Sequence, residues 1–135
     1  MEQYKFSNSN IDLACEETGT FLASAGVERR EALRVKLTLE EALLQYQEKF
    51  GTDAGFSLRL VKRLSSIRVE LIVPGESYDA LESDREEADV IRGLLAGIGL
   101  APSWSYKNGR NHIIFTPKKK PLSGTAKMMW FLPFL

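Results

Sequence analysis

Phe56-Ser57-Leu58-Arg59-Leu60 and Ile67-Arg68-Val69-Glu70-Leu71-Ile72-Val73, joined through the link Arg63 to Ser66, decide the fold of this chain. Apolar side chains recur at every second position, the period at which a strand turns successive residues to opposite faces. So short a link predicts an antiparallel hairpin. Because Ser57, Arg59, Arg68 and Glu70 interleave with the apolar residues, one face of the sheet should meet solvent while helices cover the other.

Upstream the period is helical. Ser7 to Asn10 supplies N-capping residues, and Ile11, Ala14, Cys15, Thr18, Leu22 and Ala25 recur every three or four positions until Gly26. A second helix runs from about Glu28 to Phe50 and is closed by Gly51. Ala32, Val35, Leu39, Ala42, Leu43, Tyr46 and Phe50 form its stripe, and Leu33, Leu37 and Leu44 widen it, which predicts a largely buried helix. Downstream, Pro74-Gly75-Glu76-Ser77 breaks the strand, and Val90, Ile91, Leu94, Leu95 and Ile98 carry a third helix ending near Gly99. Trp104 and Tyr106 then lead through Asn108-Gly109 to Ile113 and Phe115, a hairpin signal because a type I′ turn needs positive φ at both central residues. The whole predicts an α+β domain, a two-layer sandwich whose mostly antiparallel, mixed sheet carries helices on one face.

A chain of 135 residues suits one domain. Residues 1–117 make up that domain, and 118–135 form a basic linker followed by an apolar tail. Eighteen Lys and Arg balance eighteen Asp and Glu, so no broad positive field exists to hold a nucleic acid, which is excluded as a partner. Cys15 is the only cysteine; it can form no intramolecular disulfide, and no Cys/His cluster has zinc-site spacing, so no metal site is expected. The start, Met1 to Phe6, has no apolar run of the kind a secretory signal needs. Together these predict a cytoplasmic protein.

Three segments, Leu37 to Gln45, Val73 to Asp79 and Ile91 to Leu95, resemble the histidine-kinase-like ATPase family, and most closely its anti-sigma-factor serine kinase branch. Leu37-Thr38-Leu39-Glu40-Glu41-Ala42-Leu43-Leu44-Gln45 is similar to the family's signature helix; Val73-Pro74-Gly75-Glu76-Ser77-Tyr78-Asp79 is similar to its Asp-x-Gly-x-Gly-Phe-Asp loop. Ile91-Arg92-Gly93-Leu94-Leu95 resembles the Gly-rich segment leading into the last helix. The resemblance implies a nucleotide site built from Gln45, Gly75, Ser77, Asp79, Arg92 and Gly93, with Glu41 as the catalytic base. Spacing of four puts Glu41 and Gln45 on one helix face.

The same comparison implies that the site is degenerate. Gln45 stands where the family has a magnesium-holding asparagine, and its extra methylene suits an ion that requires near-ideal octahedral geometry poorly. Val73 falls on the aspartate that accepts from the adenine amine, and Ser77 on the second loop glycine. Glu82, Asp84, Glu86, Glu87 and Asp89 occupy the stretch where the family carries a glycine-rich lid over the phosphates. The plainer readings are a carboxylate on a helix face for Glu41 and a solvated loop with a helix first turn for the acidic run. No cofactor is therefore expected. The alternative is an active serine kinase or ATP switch using magnesium, Glu41 and Gln45.

His112, beside Ile113 in a strand, is expected to be a satisfied or exposed ring, and Trp104 and Tyr106 to be core or interface residues rather than a ligand platform. In the tail, Lys118-Lys119-Lys120 precedes Met128-Met129-Trp130-Phe131-Leu132-Pro133-Phe134-Leu135. Eight apolar residues are too few to cross a bilayer, which takes about 20, yet basic residues before an apolar run resemble the cytosolic side of a membrane segment. The junction resembles the cytosolic N-terminal domain of bacterial sodium:dicarboxylate or amino-acid symporters. Expected partners are thus the symporter's membrane part or another protein, at the cytosolic face of the plasma membrane. Packing of Trp130, Phe131 and Leu132 back onto the domain, or into a homodimer, is the competing reading.

Overall fold

The computed structural model describes residues 2–8, 10–82 and 102–118. Strand β1 (Glu2–Asn8) leads into helices α1 (Ile11–Ser24) and α2 (Arg29–Phe50), then strands β2 (Phe56–Lys62) and β3 (Ile67–Pro74), a single 3-10 turn at Ala80–Glu82, and strands β4 (Ser103–Lys107) and β5 (Arg110–Phe115). The sheet runs β1-β2-β3-β5-β4. Each described pairing is antiparallel, so the parallel component of a mixed sheet does not occur among these strands. The reason is connectivity. Two helices in succession return the chain to the end of β1 from which it left, and β2 must then run against β1; β2–β3 and β4–β5 are hairpins, and β5 comes back against β3 across a longer connection.

Capping residues set the helix bounds. Asn10 accepts from the Leu13 N–H at 3.0 Å to start α1, and Gly26 and Gly51 follow the two helices with φ of 86° and 106°, which side chains disfavour. Asn108 and Gly109, at φ 52° and 74°, make the β4–β5 turn as a positive-φ pair. The third helix expected over Val90–Ile98 lies outside the described residues.

The hydrophobic alternation becomes rows across the sheet. Register places Leu58, Leu71 and Ile113 in one row and Leu60, Val69 and Phe115 in the next, all buried against Leu22, Val35, Leu39, Leu43 and Tyr46 from the helices. Burial of each such side chain contributes about 1.5–3 kcal/mol before entropy is counted. The helix layer departs from expectation at one place. Leu33, Leu37 and Leu44 are exposed rather than buried. At 100° per residue they fall on one side of α2, and α1 and the sheet cover the others.

The outer sheet face is not uniformly wet either. The buried Glu70 carboxylate takes a bond from Arg59 Nη1 at 3.1 Å, lies 3.1 Å from His112 Nδ1 and 3.7 Å from Arg68 Nη2. His112 is thus a partnered ring, as its strand position implied.

Cys15 is buried in α1. Desolvation, reinforced by the Glu40 and Asp12 carboxylates and opposed by Lys36, pushes its thiol from 9.0 up to about 11. The native state therefore keeps a proton that the unfolded chain releases, and stability should fall as pH rises from 9.0 toward about 11. Urea unfolding at either end of that window checks this. Cys15→Ala should lack that part of the decline, and a wild-type curve flat in pH would contradict it.

Candidate functional site

Helix α2 presents Glu41 and Gln45 one turn apart, as the spacing of four requires, and both are engaged with each other: Gln45 Nε2 donates to Glu41 Oε1 at 2.9 Å. Gln45 is only 4% exposed. Its remaining polar atom, Oε1, accepts from the Tyr78 hydroxyl at 3.2 Å. Thr38, earlier on the same side of the helix, is buried with no hydrogen-bond partner for its hydroxyl among the described residues.

Tyr78 is the meeting point of helix and loop. Tyr46 Oη donates to the Tyr78 carbonyl at 2.8 Å, the two rings meet edge-on at 5.8 Å, and Lys49 Nζ sits 5.5 Å over the Tyr78 ring. Burial, the largest influence, pushes the Tyr46 hydroxyl far above its ordinary value, so it stays protonated and able to donate. Phe50 stacks on Tyr46 at 5.9 Å and closes against the loop at Gly75: a Cβ there would lie 3.1 Å from the Phe50 ring, at a φ of 142°. Both space and backbone conformation thus call for glycine at this position.

The loop is held from the other side by Asn111, a residue that sequence reasoning did not single out. Asn111 shares the inward period-two face with Ile113 and Phe115 and is 1% exposed. Every hydrogen-bonding site that its buried amide needs filled is filled. Nδ2 donates to the carbonyls of Val73 (3.2 Å) and Glu76 (2.8 Å); Oδ1 accepts from the Tyr78 N–H (2.8 Å) and from Trp104 Nε1 (3.2 Å). Tyr106 adds a bond from its hydroxyl to the Gly75 carbonyl at 2.7 Å, and the Gly75 N–H reaches the Gly109 carbonyl at 3.0 Å.

The residues expected to form a nucleotide site are therefore only partly gathered. Glu41 and Gln45 join Tyr78 in one chain of hydrogen bonds. Gly75 packs on Phe50, while Ser77 is exposed and joins no part of the network. Asp79 turns its carboxylate to the Leu81 N–H at 2.9 Å and begins the 3-10 turn. Val73 is buried on the inner face, 1% exposed. Glu82 ends the 3-10 turn; Arg92, Gly93 and the rest of the acidic run lie outside the described residues. Trp104 and Tyr106 hold the loop rather than offering an open stacking surface. Among the described residues no group of three or more His, Cys, Asp and Glu could hold a metal ion.

Chemically, the arrangement is a closed polar network joining a helix, a loop and a hairpin. Its groups have each other as partners. A magnesium–nucleotide fits these residues poorly: the Gln45 oxygen is already bonded, Val73 has no acceptor for an adenine amine, and the Asn111 amide has no spare donor.

No protein-family model and no curated protein matches the sequence. Among solved structures, the catalytic domain of histidine kinase ThkA in a nucleotide-free form is similar over 90% of this chain and 99% of that one, with a TM-score of 0.53 and 13% identity. At that identity the likeness speaks for the fold alone, and the chain has the α+β architecture of a histidine-kinase ATPase domain.

Proposed function

We propose that the domain is a non-catalytic regulatory module that keeps the histidine-kinase-like ATPase fold and has turned the nucleotide region into a structural lock. The observation that carries this is that Asn111 is filled by Val73, Glu76, Tyr78 and Trp104, while Gln45 is held by Glu41 and Tyr78. Buried polar groups that already have partners gain little from a ligand and would lose their bonds to admit one. Exposed Leu33, Leu37 and Leu44 support a role in contacting another protein or a second copy of the chain.

The finer reading is that the module descends from the anti-sigma-factor kinase branch and serves as the cytosolic domain of a sodium:dicarboxylate or amino-acid symporter, at the cytosolic face of the plasma membrane. Its support is the sequence junction of Lys118-Lys119-Lys120 with Met128 to Leu135. Among the described residues no helix is long and apolar enough to cross a membrane.

Thermal unfolding with and without magnesium-ATP tests the central claim. A competent site at about 100 times its Kd would add about 2.7 kcal/mol, roughly 10 °C for a domain of this size. We expect a shift within about 1 °C; a rise of several degrees would instead favour a working kinase or nucleotide switch built on Glu41 and Gln45.

A further inference from the structure

The end of the sheet farthest from Asn111 carries a cluster that the nucleotide region does not use. The β3–β5 register pairs Val69 with Phe115, so residues 116–118 run on beside Arg68 and the β2–β3 turn. There Val61, Arg63, Ser65, Ser66, Arg68 and Lys118 surround a cavity of about 580 Å³. Its lining contains three cationic residues and no carboxylate. Two carboxylates border it: Glu31 of α2 accepts from the Lys118 N–H at 3.2 Å, and Glu70 lies 3.7 Å from Arg68 Nη2. Three cations against these two carboxylates leave a small local excess of positive charge, with Arg63 having no acidic residue in the lining.

Beside it stands Leu64, at the hairpin tip and 96% exposed. The turn is closed beneath it by the Arg63 N–H on the Ser66 carbonyl at 2.8 Å, which leaves the leucine side chain projecting. An apolar side chain at a tip, next to a basic cavity with serine hydroxyls, complements a surface that is negatively charged at its face and apolar beneath. Lys119 and Lys120 continue the same charge in the sequence.

We propose that this end of the sheet docks on an anionic phospholipid surface: Leu64 enters the acyl boundary while Arg63, Arg68 and Lys118 face the phosphodiester groups. The inference rests on the membrane-adjacent reading above and deepens it by naming the contact surface. It orients the domain with the Asn111-locked loop pointing away from the bilayer, since the eight residues of β3 span about 26 Å.

Flotation of the full 135-residue chain with vesicles of phosphatidylcholine alone, or mixed with phosphatidylglycerol, is the test. Binding should require the anionic lipid and weaken as salt shortens the Debye length. Arg63→Glu should reduce partitioning at least fivefold, the effect of about one basic residue at such a surface, and Leu64→Asp should reduce it severalfold. Arg110→Glu, the same charge change at the opposite end of the sheet, should leave it unchanged, and all three variants should keep the wild-type melting midpoint. Equal binding to neutral vesicles, undiminished binding by Arg63→Glu and Leu64→Asp, or a thermal shift with inorganic phosphate but no flotation would each overturn the proposal; undiminished binding would assign the contact to the tail. Magnesium-ATP reports on the opposite end of the domain, so the two proposals fail separately.

Discussion

Asn111→Leu is expected to destabilise the domain by about 3–5 kcal/mol, lowering its melting midpoint by roughly 10–20 °C. Leucine shares asparagine's branched, four-heavy-atom side chain but is bulkier, so some overpacking adds to the lost hydrogen bonds. Removing the amide strands the Val73 carbonyl, the Tyr78 N–H and Trp104 Nε1 together. Each buried orphan costs about 1–3 kcal/mol, and partial rehydration of the Glu76 carbonyl and the Trp104 edge keeps the total below the simple sum. Asn111→Asp should be nearly as damaging for a different reason: it keeps the acceptor and loses the two donations, leaving a carboxylate against the carbonyls of Val73 and Glu76. Urea unfolding of both variants reads the effect. A cost below about 1 kcal/mol for Asn111→Leu would mean that the loop is held by something other than this residue.

Val73→Asp should cost about 4 kcal/mol and gain no response to magnesium-ATP. This substitution restores the carboxylate that the resembled loop carries, at a position that is 1% exposed here. An ionised side chain placed there finds no cation on the inner sheet face, where the described neighbours are Leu71, Ile113 and Asn111, and the Asn111 donors already serve main-chain carbonyls. Burial of an unpaired charge costs several kcal/mol unless the group takes up a proton. The destabilisation should therefore ease as the pH is lowered through the carboxylate's raised pKa. A thermal scan at neutral and mildly acidic pH, each with and without magnesium-ATP, separates the outcomes. If ATP rescued the variant by several degrees, the groove would be a nucleotide site lacking one residue, and the lock would be a wrong description.

Both expectations follow from how the loop is held. In this chain the loop between Val73 and Tyr78 is tied to α2 through Tyr78 and to β5 through Asn111. The two ties hold the loop through contacts within the chain itself. The same physics explains why Gly75 remains glycine beside the Phe50 ring, whereas the exposed Ser77 is under no comparable constraint.

The sequence alone determined two helices and two hairpins and their order, while strand β1 at Glu2–Asn8 shows only through its pairing with β2. Periods of two and of three to four residues, capping by Asn10, breaks at Gly26 and Gly51, and the Asn108-Gly109 turn are local signals, set by how neighbouring residues share one backbone. They were enough to read both helices, the central hairpin, the terminal hairpin and a one-sided helix layer. The same alternation placed Asn111 on the inward face with Ile113 and Phe115, a polar residue at a core position that could have been noticed as a site. Its four partners could not. Val73, Glu76, Tyr78 and Trp104 lie seven to thirty-eight residues away in sequence, and only the register of β3 on β5 brings them within hydrogen-bonding distance. Tertiary structure likewise decided which leucines of α2 are buried, because a helix lying on one sheet and one neighbour leaves a third side open, and Leu33, Leu37 and Leu44 fall on it. Which apolar face meets a partner, and which polar atoms meet each other, depends on contacts between segments that no local pattern encodes.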